Sequence, residues 1–245
     1  MKNLNLIFIL SLLLTSTSAL AGDPVKTSEE LRAKYPSIAE GSDRPENKKI
    51  LCPFHRMLER AGLYDASKIK NPHVSSEILV PVATIRSAAH EFGCAKGTCG
   101  LVAVLASLGQ TSTKGFADGT ASPGKVNVTR LYAVKGQSHE CGLTFSKDST
   151  EVSDAVRTES LTRLKAIADK TPARTLTLED LLAVKNEVCH AKGGDIEIRA
   201  LYEYLGGNER GFVDYEDVNR ILHAEMPLVK STKYLNASVA RKKKQ

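Results

Sequence analysis

The 245-residue chain has no tryptophan, only 5 % aromatic residues and three methionines. A nucleic-acid surface needs basic residues interleaved with stacking aromatics, so no nucleic-acid partner is expected. Beyond the first twenty residues no apolar run approaches the roughly 20 residues that cross a bilayer, and no integral membrane segment is expected in the mature chain. Gly-x-Ser-x-Gly, a phosphate loop and a dinucleotide fingerprint are also missing. His55, His73, His90, His190 and His223 lack the short spacing of a zinc site. These absences remove the commonest hydrolase, nucleotide-dependent and zinc-dependent classes.

What is present begins with Met1 to Ala21. Lys2 precedes an apolar run from Leu6 to Leu14, and the segment closes on Ser18-Ala19-Leu20-Ala21. This is the three-part pattern of a cleavable secretory signal, predicting a secreted or periplasmic protein of 224 residues. The formal charge of +6 is unevenly placed, because Lys2 leaves with the signal and Arg241 to Lys244 form a terminal basic run. The body then carries about +1, and residues 233–245 read as a solvated tail.

All five cysteines lie in the mature chain, so at least one is left unpaired. Cys94 and Cys99 sit among glycines in Gly93-Cys-Ala-Lys-Gly-Thr-Cys-Gly100, and Cys141 with Cys189 offers a longer bridge. That pairing leaves Cys52. Pro53 follows it, and Phe54, Met57, Leu58 and Leu63 recur at helical spacing, which places Cys52 at a helix N-cap. Free N–H groups and the helix dipole favour a thiolate there, suited to a nucleophile, a redox thiol or a soft-metal ligand. A partly buried structural cysteine is the plain alternative.

Residues 22–49 are polar and broken by Pro24, Pro36 and Pro45, and read as an extended N-terminal arm on the surface. The folded region spans 50–232. Helices are predicted over 80–92, 101–108, 153–168, 178–190, 196–205 and 215–223; the second is apolar nearly all round and reads as buried. Residues 110–125 read as a loop and 126–132 as a strand or extended segment. The fold class is therefore mainly α, as a single helical domain.

Two motifs stand between these elements. Gly206 to Asp217 separates two helices and has Gly211 at a bend, but it lacks the early alternating acids of a calcium loop, so a plain helical hairpin is favoured. His139-Glu140 juxtaposes an imidazole and a carboxylate, the groups that exchange a proton near neutral pH.

Three separated pieces together resemble the heme-thiolate peroxidases, the family of chloroperoxidases and unspecific peroxygenases. They are Cys52-Pro-Phe-His-Arg-Met-Leu-Glu-Arg-Ala-Gly-Leu-Tyr64, Ser138-His-Glu-Cys-Gly-Leu-Thr144, and Gly211-Phe-Val-Asp-Tyr-Glu-Asp-Val-Asn-Arg-Ile-Leu-His-Ala-Glu-Met-Pro227. The resemblance implies a helical fold binding heme b, with Cys52 as the axial thiolate ahead of Pro53. It implies hydrogen peroxide and a small organic molecule or halide as substrates. It gives His139 and Glu140 distal roles and requires a separate acid-base glutamate, for which Glu187 is the candidate and Glu203 the next. With Leu143-Thr144 as anchor, Ser138 stands where the family has its metal-binding Glu, and Gly142 replaces a cation-holding Ser. A second cation is then not expected; a shift of one position would instead put Glu140 in the Glu place. These losses also leave open a helical protein that has lost the acid-base apparatus and binds heme, a ligand or a partner.

Overall fold

The computed structural model describes residues 26–65, 69–71, 75–94, 96–111, 122–133, 141–189 and 195–231. The predicted signal segment 1–21, the 138–140 motif, His190 and the basic tail lie outside these residues. The protein is mostly helical, as its sequence pattern predicts, with two short two-stranded sheets among the described residues. None of the described helices is long and apolar enough to cross a membrane.

The region read as an extended surface arm opens instead with helix α1, Ser28–Lys34, followed by a 3-10 turn at Pro36–Ile38. A capping box starts α1: the Glu30 N–H donates to Thr27 Oγ1 at 3.1 Å, and the Thr27 N–H donates to Glu30 at 2.7 Å. Pro36 prevents the helix from running on. Leu31 and Ile38 are fully buried, so this segment supplies core as well as cover. The prolines bound the helix without abolishing it.

Helix α2, Pro53–Arg60, carries Cys52 as its N-cap and Pro53 as its first residue. Arg56 and Arg60 on this helix are both buried. Arg56 donates from Nη1 to the carbonyls of Ile50 (3.1 Å) and Leu51 (3.0 Å), and from Nη2 to that of Leu222 (2.9 Å). Its Nε lies 3.0 Å from Glu46, which also pairs with Arg157. Burial pulls the Arg56 pKa down while Glu46 opposes the shift.

Strand β1, Leu79–Pro81, precedes helix α3, Val82–Glu91; Pro81 is the N-cap and not the first helical residue. Helix α4, Lys96–Thr111, is longer than its apolar run predicts. Strand β2, Lys125–Asn127, pairs antiparallel with β1 in the register Val80↔Val126 and leads into a 3-10 segment at Val128–Ala133. Gln110 ties α4 to this sheet, donating to the Asn127 carbonyl at 2.8 Å and accepting the Asn127 N–H at 2.7 Å. The expected burial of α4 all round is corrected. Its small residues Ala103 and Ala106 are buried, and α4 packs closely on α3, whereas Leu101 and Leu108 are 60 % and 59 % exposed and Val104 and Leu105 are exposed beside them. Small residues let two helices approach, which turns the larger side chains of the same helix outward.

The C-terminal half runs through α5, Asp154–Ala168; β3, Thr175–Leu176; α6, Leu178–Cys189; α7, Asp195–Tyr204; α8, Gly207–Arg210; β4, Val213–Asp214; and α9, Tyr215–Leu222. Ser153 caps α5 by accepting the Val156 N–H. One buried cluster runs from Leu31 through Met57, Phe92 and Leu164 to Met226, joining both halves.

Removing the buried guanidinium takes this donor from the Ile50 and Leu51 carbonyls, leaves that of Leu222 to Arg157 alone, and weakens the hold on Glu46. Arg56→Met is expected to cost about 3–5 kcal/mol, whereas Leu101→Ala, at an exposed site, stays within about 0.5 kcal/mol; denaturant unfolding of the two variants checks the contrast.

Candidate functional site

Cys52 is the one free cysteine among the described residues and is partly exposed. Cys141 and Cys189 form a disulfide with Cα atoms 5.9 Å apart, as the sequence pairing proposed. Cys94 is also disulfide-bonded. Cys52 therefore stays available as a thiol because the bridges engage other cysteines.

The helix N-terminus does not by itself make that thiol acidic. Burial of the sulfur, and after it the charge of Glu197, push the Cys52 thiol up to about 12. The backbone N–H groups of His55 and Phe54 and the Arg56 guanidinium pull the other way and are outweighed. No cap hydrogen bond closes on the sulfur. The expected thiolate is thus corrected: desolvation exceeds the dipole, and the sulfur keeps its proton near neutral pH.

Around Cys52 the aromatic residues interlock. His55 Nδ1 lies 2.9 Å from the hydroxyl of the fully buried Tyr64. The Phe54 ring meets Tyr204 edge-on at 5.0 Å and Phe92 at 6.4 Å between centroids. Pro53 is buried beneath this layer. The side chains following the cysteine are therefore fixed by packing, which fixes the direction of α2 and the position of the sulfur.

The carboxylate that acts on this centre is Glu197, half-buried in the first turn of α7; its charge reaches both Cys52 and Arg56. Sequence reasoning passed over it. The signal was there: Glu197 shares a helical stripe with the buried Ile198, Leu201 and Leu205, and a carboxylate within an apolar stripe is out of place unless it has a task. Glu187 is placed differently. It is exposed on α6 and bonded to Arg163 of α5 at 2.8 Å. Glu203 is half-buried on α7 and away from the apolar stripe that holds Glu197. His139, Glu140 and Ser138 lie outside the described residues, so their geometry does not enter.

The segment that follows them is well anchored. Leu143 and Thr144 are buried, the Gly142 N–H donates to the Phe145 carbonyl at 3.0 Å, and Cys141 is stapled to the last residue of α6. A Cβ at Gly142 would meet the Phe145 ring at 2.6 Å, so any larger residue there requires the buried ring to shift. An open groove lined by Leu63, Ala83, Thr84, Ser87, Ala88 and Glu91 contains none of the sequence-predicted site residues.

The residues fit a heme iron in one respect that can be read directly: the one free cysteine among the described residues stands at a helix start, with the N–H groups of His55 and Phe54 favouring negative charge on its sulfur. No protein family, no characterised protein and no solved structure matches the chain.

The metal-free protein should hold the Cys52 proton through neutral pH. At pH 8 only about one molecule in 10⁴ is a thiolate, so alkylation by iodoacetamide is slow and climbs roughly tenfold per pH unit without levelling near 9. Mass spectrometry of the Cys52 peptide against pH measures this; a plateau below pH 9 contradicts the burial argument.

Proposed function

We propose that this is an exported heme-thiolate peroxidase-like protein that uses hydrogen peroxide to oxidise a small organic substrate or a halide. The observation that carries the reading is Cys52, whose free sulfur stands at the N-cap of the α2 helix. The Met1–Ala21 signal pattern supports export.

Heme bound here supplies peroxide O–O cleavage, which electron donation from a thiolate ligand favours. Cys52 would hold the iron through Sγ. Pro53 and the packing of Phe54 hold the sulfur at one angle. The N–H groups of His55 and Phe54 stabilise the charge left on it. Glu197 would move the peroxide proton through its carboxylate, the role for which the family resemblance offers Glu187 and then Glu203. His139 and Glu140 remain the distal pair by resemblance.

A second reading is a chain that keeps the cysteine and binds heme, a ligand or a partner without turnover. The tight approach of the Phe145 ring at Gly142, where the resembling family has a serine, favours it.

The test is an absorption spectrum of the heme-supplied mature protein, reduced under carbon monoxide, followed by peroxide turnover. The expected outcome is a strongly red-shifted Soret band that Cys52→Ala abolishes. Glu197→Gln should keep the band and lower turnover by about 10²–10⁴-fold, while Glu187→Gln leaves it within about twofold. A band without turnover establishes the second reading, and no heme uptake sinks both heme forms.

A further inference from the structure

Residues 169–180 and 206–217, the second of which contains the short helix α8, form two connections of equal length that share features at the sixth, eighth, tenth and twelfth positions. The incoming helices end at Ala168 and Tyr204. Each sixth residue has a positive φ, 50° at Arg174 and 80° at Gly211. Each eighth residue is apolar and buried, and these two, Leu176 and Val213, pair directly with each other in the β3–β4 ladder. Each outgoing helix begins at the tenth position, at Leu178 and Tyr215. Each twelfth residue is an aspartate, Asp180 and Asp217. Helix α5 packs on α6 and α9, and α6 packs on α7.

A calcium EF-hand loop has this length, with the sharp bend at its sixth position and ligands from positions one, three, five, seven, nine and twelve. Of positions one, three, five and nine, only Asp169 in the first loop and Asp214 in the second carry a carboxylate; the others are Thr171, Ala173, Thr177, Gly206, Asn208 and Arg210. An arginine closes each loop instead. Arg174 Nε donates to Asp169 at 3.1 Å, and its guanidinium lies over the Tyr215 ring of the other loop at 5.0 Å. Arg210 donates from Nη1 to Asp214 at 2.7 Å and from Nη2 to the Leu205 carbonyl at 2.9 Å. The twelfth-position aspartates are also satisfied within the protein. Asp180 accepts the N–H and hydroxyl of Thr177, and Asp217 accepts the N–H groups of Leu228 and Val229. Among the described residues no cluster of metal-ligating side chains forms.

We propose that residues 154–189 and 195–222 are a calcium-independent EF-hand-like pair, in which the guanidinium groups of Arg174 and Arg210 join the loop segments that a bound cation joins in a calcium-binding pair. The sequence-level helical hairpin at 206–217 is then one half of a unit whose other half carries no glycine to announce it. The inference does not depend on heme.

The loop backbone is tested by giving the first loop its ligands back in the full mature chain. Thr171→Asp, Ala173→Asp and Arg174→Gly together place carboxylates at positions three and five and glycine at the positive φ. This variant is expected to bind calcium in a calorimetric titration with Kd of about 10⁻⁵–10⁻³ M and to melt several degrees higher in calcium than in EDTA. The unaltered protein should melt at the same temperature in both. Separately, Arg210→Ala should lower the melting temperature by about 4 °C or more. A folded triple variant that ignores calcium, calcium binding by the unaltered protein, or an Arg210→Ala protein with unchanged melting would each overturn the proposal.

Discussion

The carbonyl of Leu222, at the C-terminal end of α9, is where the structure is tied together. Both Arg56 from α2 and Arg157 from α5 donate to it, and Glu46 lies between the two guanidinium groups as their shared counter-ion. A helix end leaves its last carbonyls without intrahelical partners and carries a partial negative charge, so cations gather there. Arg60 extends the arrangement to the His223 carbonyl at 3.1 Å and to the Ser42 and Arg44 carbonyls of the N-terminal segment. The helix that starts at Cys52 is thereby fixed to the last helix of the described fold. Arginine suits the task because its planar fork holds several carbonyls and a carboxylate at once.

This constraint bears on the chemistry. The sulfur, the guanidinium of Arg56 and the carboxylate of Glu197 form one electrostatic group, since Glu197 acts on both of the others. Tyr64 is buried against the same region, and burial followed by the Cys52 charge holds its phenol well above the ordinary range. A dry surrounding of this kind strengthens every charge interaction within it and resists ionisation of any member alone.

Much of the fold was legible because its signals are local. Thr177 ahead of Glu179 and Asp180, Ser153 ahead of α5, and Pro53 after Cys52 mark helix starts within one or two residues. The Thr27/Glu30 capping box was equally local, yet the three prolines around it drew the reading toward an extended arm. The apolar residues of α4 were counted correctly and placed wrongly. Composition says how much apolar surface a helix has, while the approach of α3 decides which part is covered.

The sequence by itself determined the helical class, the odd cysteine, its place before a helix-starting proline and the signal-like first segment, because each depends on residues within a turn or two of one another. Tertiary structure alone decided three further things. It set the protonation of Cys52, which follows from how much water the surrounding helices remove. It put Glu187 on the surface against Arg163 and half-buried Glu197, which depends on the direction each helix presents to its neighbours. And it matched loop 169–180 with loop 206–217, since the pairing of Leu176 with Val213 joins residues far apart in the chain and a positive φ at Arg174 leaves no glycine to mark it.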